Sequence, residues 1–322
     1  MSIEIIELKS WGHPDTITDT IVEKCADVVE EYMKEKNIHI HYNLDKALFS
    51  SGTMNIGFDY CNKLSSPTFI LGGNIGCNDS DLYNLLYETI REYMFNNFNG
   101  MRIEIDLTRL SSNSQGLESM DKKDIVAGDT SYAVAKYPLS ISEAYVLDIN
   151  MAIREYSKIF PIGYDYKIMF RNIDGLFKAN ISIPVFHYAV KNIDEYAGVI
   201  NNLHRYLSER YQGAIWFEIN SDLQFGNYWL TRYGSSIENG DCGQVGRGNR
   251  LNGLITPMSA MTLEAYHGKN RTNHTGRILQ QEALVKAKEL SESYGGKTVE
   301  VYLVSKIGKP ITDYEIYHKI ID

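Results

Sequence analysis

The sequence predicts an α/β (α+β) protein built on mixed and antiparallel sheets. Two observations carry this. Segments with apolar residues at helical spacing alternate along the chain with segments that favour strand, so both element types recur from end to end. The alternation follows no regular βαβ beat, which speaks against a Rossmann arrangement.

The elements follow in order. Ile3 to Leu8 reads as a short strand, and Gly12 breaks it. A helix starts near Pro14, a residue well suited to the first helical position. Ile17, Ile21, Cys25, Val28 and Tyr32 recur along one face of it. The stretch from Ile38 to Phe49 favours strand. A second helix begins near Ser80, with Leu82, Leu86, Ile90 and Met94 as its buried stripe. The RIEIDL segment from Arg102 alternates like a half-buried strand. Ser140 and Glu143 have the spacing of a capping box and open a third helix. Strands are expected over Tyr164 to Arg171 and Leu176 to Tyr188, then a fourth helix over Ile193 to Tyr211. Strands near Ile215 and Tyr228 lead into a glycine-rich segment. A fifth helix spans Arg277 to Tyr294, and KTVEVYLVSKIG is the last strand.

Composition narrows the function classes. With 322 residues the chain is long enough for two or three modest domains. A formal net charge of -9 disfavours a nucleic-acid partner, which wants a basic face. The first residues, MSIEIIELKSWGH, carry two glutamates and do not read as a signal peptide. No run approaches the roughly 18 apolar residues of a membrane helix. Cys25, Cys61, Cys77 and Cys242 are too scattered for a C-x-x-C site, so four reduced thiols in the cytoplasm are expected.

Three segments concentrate chemistry. GHPD, Gly12 to Asp15, sits where a strand turns into a helix. The free N–H groups and the helix dipole there favour an anion. His13 adds a donor for a phosphate, and Asp15 is placed to hold a cation beside it. The same residues also serve as an ordinary helix cap, and spacing alone favours that plainer role. GDCGQVGRGNRLNG, Gly240 to Gly253, is followed by Lys269, Arg271 and Arg277. Counted from Arg247 to Arg277, five Lys/Arg stand against the single acid Glu264. Glycine lets backbone approach a ligand and the cations suit a polyphosphate, although no Walker A motif is present. A solvated surface loop is the alternative, and it is slightly less favoured. The third segment, GDTSYAVAKYPLS from Gly128, is by itself only a turn before a capped helix.

Taken together, GHPDTITD, GDTSYAVAKYPLS, GDCGQVGRGNRLNGLITPMSAMTLEAYHGKN and SKIGKPI resemble, in the same order, the archaeal-type methionine adenosyltransferases. The resemblance covers nearly the whole chain. It implies three similar interleaved α/β domains about a pseudo-threefold axis. One would comprise residues 1–10 and 130–232, and a central one 11–102 and 233–276, with the phosphate and metal site and the dimer face. The third would be a shortened domain of 103–129 and 277–322. A cytoplasmic homodimer or dimer of dimers is implied, with sites between subunits, Mg²⁺ as cofactor and K⁺ as a further candidate.

The resemblance also implies residue roles. His13, Arg247 and Lys269 would bind the triphosphate and carry catalysis. Glu7, Gln115, Gly116 and Asp241 would bind ATP, Asp129 and Asp241 methionine, and Asp15 the metal. Asn43 and Asp45 resemble a polar strand near the cation sites. Three stretches depart from the pattern: SNSQGLESM around Gln115 and Gly116, Arg271 where the family has proline, and the short run after IGKPI. The expected reaction is ATP, methionine and water to S-adenosylmethionine, phosphate and diphosphate. A non-catalytic paralogue, or the same chemistry on a different thioether, is the alternative.

Overall fold

The computed structural model describes residues 2–38, 42–112, 126–127, 129–272 and 274–321. Strand β1 (Ile3–Lys9) ends in a turn, and helix α1 (Pro14–Lys36) follows with His13 as its N-cap. The buried stripe of α1 includes Ile17, Ile21, Cys25, Val29 and Tyr32. Val29 is enclosed and Val28 only half-buried, because a step of four from Cys25 stays on the inner face.

The expected strand from Ile38 to Phe49 is largely absent among the described residues, with β2 (Leu48–Ser50) its one strand. Ahead of β2, Asn43 bonds to Asn74 while Leu44 N–H donates to the carbonyl of Gly268 at 2.8 Å. Consecutive residues thus serve different partners and build no ladder.

The hairpin β3 (Thr53–Ile56) and β4 (Cys61–Ser65) and strand β5 (Thr68–Asn74) were not anticipated. Helix α2 (Ser80–Asn97) buries the expected Leu82, Leu86, Ile90 and Met94. RIEIDL forms β6 (Glu104–Ser111), an edge strand paired with β5, and so it lacks a clean buried face.

Strand β7 (Tyr132–Tyr137) precedes α3 (Ile141–Tyr156), whose capping box of Ser140 and Glu143 is formed as expected. Strands β8 (Lys167–Ile173) and β9 (Leu176–Ser182) follow. Pro184 has no N–H to donate, and the run restarts as the short β10 (Val185–Phe186). Helix α4 (Ile193–Arg210), β11 (Ile215–Ile219), β12 (Leu230–Thr231) and β13 (Gly243–Gln244) lead to α5 (Thr275–Ser293). The chain closes with β14 (Thr298–Val304) and an unanticipated β15 (Glu315–Ile321).

Among the described residues three larger sheets organise most of these elements, beside the two-stranded pairs β3-β4 and β10-β12. β1-β8-β9-β11 carries α3 and α4 around a core including Ile6, Ile153, Phe170 and Leu203. β13-β2-β5-β6 carries α1 and α2 around Ile21, Phe69, Leu86 and Ile90. Among the described residues β15-β14-β7 carries the single helix α5, over Leu279, Ala283, Val299 and Val301. β6 lies in the second sheet and β7 in the third. Pairing of β13 with β2 lays the glycine-rich segment over the start of α1.

Candidate functional site

The first turn of α1 is closed by its neighbours. The His13 Nδ1 accepts from the N–H of Asp15 at 3.2 Å, so the imidazole caps the helix as an acceptor. Burial lowers the His13 pKa to about 4. Asp15 opposes that shift, and Lys9 and Lys167 reinforce it. Asp15 is only 6% exposed. Its Oδ1 accepts from Gln244 N–H at 2.8 Å, and its Oδ2 meets Lys9 Nζ at 2.8 Å. Lys9 also donates to the carbonyl of Arg247, and Asn249 brackets the Lys9 backbone at 3.1 and 2.7 Å.

Glycine is required where the loop crosses the helix. A Cβ on Gly243 would stand 2.2 Å from the Pro14 carbonyl oxygen, and one on Gly248 2.3 Å from Asp19 Oδ2. One turn along, Asp19 accepts from Gly246 N–H at 2.8 Å and lies 3.6 Å from His267 Nδ1. Burial, with Asp15 adding to it, pushes the Asp19 carboxyl up to about 7.

Glu7 stands two residues before Lys9 on the same face of β1. Its carboxylate is 3.7 Å from Lys9 Nζ and 3.8 Å from Lys167 Nζ. Asp241 is exposed, and its Oδ2 accepts from Ser236 Oγ at 3.3 Å. The Arg247 side chain is exposed as well. The structure therefore gathers Glu7, His13, Asp15 and the Arg247 backbone at one place, with Asp241 three residues before Gln244.

Lys269 and Asp129 belong to a second cluster. Lys269 is 1% exposed, and its ammonium contacts Glu264 at 2.6 Å and Asp45 at 3.8 Å. Burial would push Glu264 up, but the hydrogen bonds from Lys269 and Ser131 bring its carboxyl below the usual range. Asn43 bridges to Lys269 through the backbone, and its side-chain oxygen accepts from Asp45 N–H at 3.3 Å. Asp129 is exposed, and its carbonyl accepts from Ser305 Oγ at 3.1 Å and Thr275 Oγ1 at 3.4 Å.

The Lys269 backbone is held from α1. Glu23 accepts from Gly268 N–H at 3.2 Å, from Arg271 at 2.8 Å, and from Arg277 at 2.7 and 2.9 Å. Arg277 also donates to the Lys269 carbonyl at 3.4 Å. Against the pull of burial, the two guanidiniums hold the Glu23 carboxyl down at about 2. Gln115 and Gly116 lie outside the described residues.

The sequence reading missed Lys9, Asp19, Glu23 and Lys167. Period-two alternation puts Lys9 beside Glu7, which was signal enough for that residue. Asp19 and Glu23 lie one and two turns beyond Asp15 on α1, where a buried or half-buried acid on an apolar face is the signal. A separate cavity of about 50 Å³ is lined by Lys136, Glu143, Arg250, Thr262 and Gln280 among others, and by none of the candidate catalytic, ATP, methionine or metal residues.

A family model for S-adenosylmethionine synthetase (AdoMet synthetase) matches residues 1–321. The S-adenosylmethionine synthase of Thermoplasma acidophilum is 32% identical over 334 residues, covering 97% of this chain and 83% of that protein. The S-adenosylmethionine synthase of Caldivirga maquilingensis is 29% identical over 340 residues, with the same coverage of each chain. A solved structure of an unusual S-adenosylmethionine synthetase from Campylobacter jejuni matches with a TM-score of 0.66. It covers 98% of this chain and 81% of that one at 15% identity, a likeness of fold.

Proposed function

The chain belongs to the S-adenosylmethionine synthetase family, and on that premise we propose how its residues serve the reaction. The protein is an S-adenosylmethionine synthase, a transferase of an adenosyl group. ATP and L-methionine are its substrates. The methionine sulfur attacks C5′ of ATP and tripolyphosphate leaves, to be hydrolysed to phosphate and diphosphate. Sulfur is already a nucleophile, so no general base is needed. What the reaction needs is positive charge where the leaving group grows negative.

The observation that carries this reading is the nearly buried Asp15, next to the His13 cap and Lys9 under a glycine loop whose backbone touches α1. His13, Arg247 and Lys269 are the triphosphate contacts. Lys269 would exchange Glu264 for phosphate when it engages. Glu7 and Asp241 face the nucleotide, Asp129 and Asp241 methionine, and Gln115 and Gly116 complete the ATP contacts.

The donor set at Asp15 fits Mg²⁺. Among the described residues no three His, Cys, Asp or Glu side chains converge as a metal cage. Mg²⁺ characteristically takes one or two carboxylates and completes its shell with phosphate and water. Asp15 would hold it, and when bound it neutralises charge on the departing phosphates. K⁺ is the further candidate cation.

Each sheet with its helices is one domain, with β6 assigned to the second and β7 to the third. The protein works in the cytoplasm as a homodimer in which the His13 and Lys269 clusters of different protomers complete one site. No helix among the described residues is long and apolar enough to cross a membrane. Incubation of the pure protein with ATP, Mg²⁺ and methionine, read by mass spectrometry, yields S-adenosylmethionine. A folded protein that makes none under these conditions refutes the reading.

A further inference from the structure

Four charged side chains at the start of α1 form one chain of contacts. Asp15 Oδ2 touches Lys9 Nζ at 2.8 Å, Lys9 lies 3.7 Å from Glu7, and Glu7 lies 3.8 Å from Lys167. The signs alternate, two carboxylates against two ammoniums, so the formal charges cancel. The pair nearest the helix is also the most enclosed, with Lys9 and Asp15 side chains 8% and 9% exposed. Lys9 is pinned further by its bond to the Arg247 carbonyl, and Asp15 Oδ1 already accepts from Gln244 N–H.

A bare divalent ion gains little from such a site. To reach Asp15 Oδ2 it must displace the Lys9 ammonium or settle within a few ångströms of it, in surroundings where water screens poorly. A polyphosphate changes the balance. It brings several negative charges, which Lys9 and Lys167 can answer, and it offers the oxygens a hard cation prefers.

We propose that Lys9 is a built-in counter-cation for Asp15, which excludes a free divalent ion from this carboxylate and admits it only together with the polyphosphate chain. The proposal rests on the reading of Asp15 as the metal ligand. Order of arrival is then set by a side chain on β1: the ion enters as a complex with the triphosphate, and Lys9 passes from Asp15 to phosphate oxygen. Lys9 has this place because β1 alternates, which puts it beside Glu7, and because the turn at Gly12 folds the first turn of α1 back onto the strand's end.

The test uses Mn²⁺ as the probe and equilibrium dialysis of the full chain as the readout, with and without inorganic tripolyphosphate. The unsubstituted protein takes up Mn²⁺ at the site only when tripolyphosphate is present. Lys9→Gln keeps a donor for Asp15 and for the Arg247 carbonyl but removes the charge, and it binds Mn²⁺ without tripolyphosphate at least about tenfold more tightly. Lys9→Arg keeps the charge and behaves like the unsubstituted protein. If Lys9→Gln does not fold, the unsubstituted protein still decides: equal Mn²⁺ affinity with and without tripolyphosphate overturns the proposal.

Asp15→Asn separates the two layers. If its uptake with tripolyphosphate is unchanged, Asp15 is no metal ligand and both readings fall. If uptake is lost, yet Lys9→Gln gains none without tripolyphosphate, the metal reading stands and the Lys9 proposal alone is overturned.

Discussion

Glu23→Gln is the perturbation whose size the structure sets most directly. The carboxylate accepts from Arg277 at two points, from Arg271 and from Gly268 N–H, while the Arg277 side chain is 6% exposed. Holding an acid at about 2 instead of 4.5 corresponds to about 3 kcal/mol at 1.36 kcal/mol per pKa unit. The Glu23 side chain is 23% exposed, and solvent screening brings the expected loss to about 2 kcal/mol. This lies below the loss on breaking a fully buried pair, about 3–5 kcal/mol, as a partly exposed carboxylate requires.

The sign follows from linkage. The folded-state pKa lies below the unfolded one, so the contribution is fully present above about 4.5 and is lost as pH falls through about 2. Urea denaturation of both proteins at pH 5, 6, 7 and 8 reads the result. The stability gap is flat across that range and shrinks only in more acid buffer. Turnover falls as well, because Arg277 and Gly268 position the Lys269 backbone. A gap under about 0.5 kcal/mol at pH 7, the size of an ordinary surface substitution, refutes the idea that Glu23 anchors this segment.

Four further outcomes are expected. Lys269→Ala and Arg247→Ala each lose at least about two orders of magnitude in turnover with the fold retained by circular dichroism; near-normal rates sink their assignment to the triphosphate. Gly248→Ala drives a methyl to about 2.3 Å from Asp19 Oδ2, lifting the loop and lowering kcat by about tenfold or more, and an unaffected rate refutes the close-approach argument. Asp165 is 2% exposed, and burial pushes its carboxyl up to about 7 from 3.8. Its contribution is therefore fully present below about 3.8 and is lost as pH rises through about 7, so the melting-temperature gap moves in favour of Asp165→Asn over that interval; a gap independent of pH refutes it. Light scattering gives a mass of at least twice 36.7 kDa, and a fully active monomer overturns the shared-site proposal.

Legibility in the sequence followed the range of the interactions. The α2 stripe of Leu82, Leu86, Ile90 and Met94 and the Ser140–Glu143 cap are local patterns, and both formed as read. The strand expected from Ile38 to Phe49 failed because its backbone partners, Asn74 and Gly268, are remote in the chain. The same limit separated site from support. GHPD and the glycine-rich segment are contiguous and visible. The pairing of Glu23 with Arg277 spans 254 positions, and no periodicity reports it. Lys9 was accessible from alternation with Glu7, but its partner Asp15 lies across a turn that only the fold closes.

The ion pairs explain how so many cations persist near a site awaiting an anion. Lys9 is neutralised by Asp15, Lys269 by Glu264 and Asp45, Arg277 by Glu23, and Arg271 by Glu23, Asp27 and Glu30 together. An uncompensated buried cation is strongly destabilising, so the free protein needs these internal carboxylates to fold. The same pairs set what a ligand must do. A weak monoanion gains too little from Lys9 or Lys269 to replace a carboxylate already 2.8 or 2.6 Å away. On the proposed reading a triphosphate carries enough charge to compete at several pairs at once, and the displaced Asp15 would then be free for a metal. On the same reading, selectivity for polyphosphate over single phosphate would arise from competition within the site. Inorganic phosphate should accordingly inhibit far more weakly than tripolyphosphate, and the difference should narrow in Lys9→Gln, where one of the competing pairs is gone. Equal inhibition by the two anions in the unsubstituted protein would count against this competition.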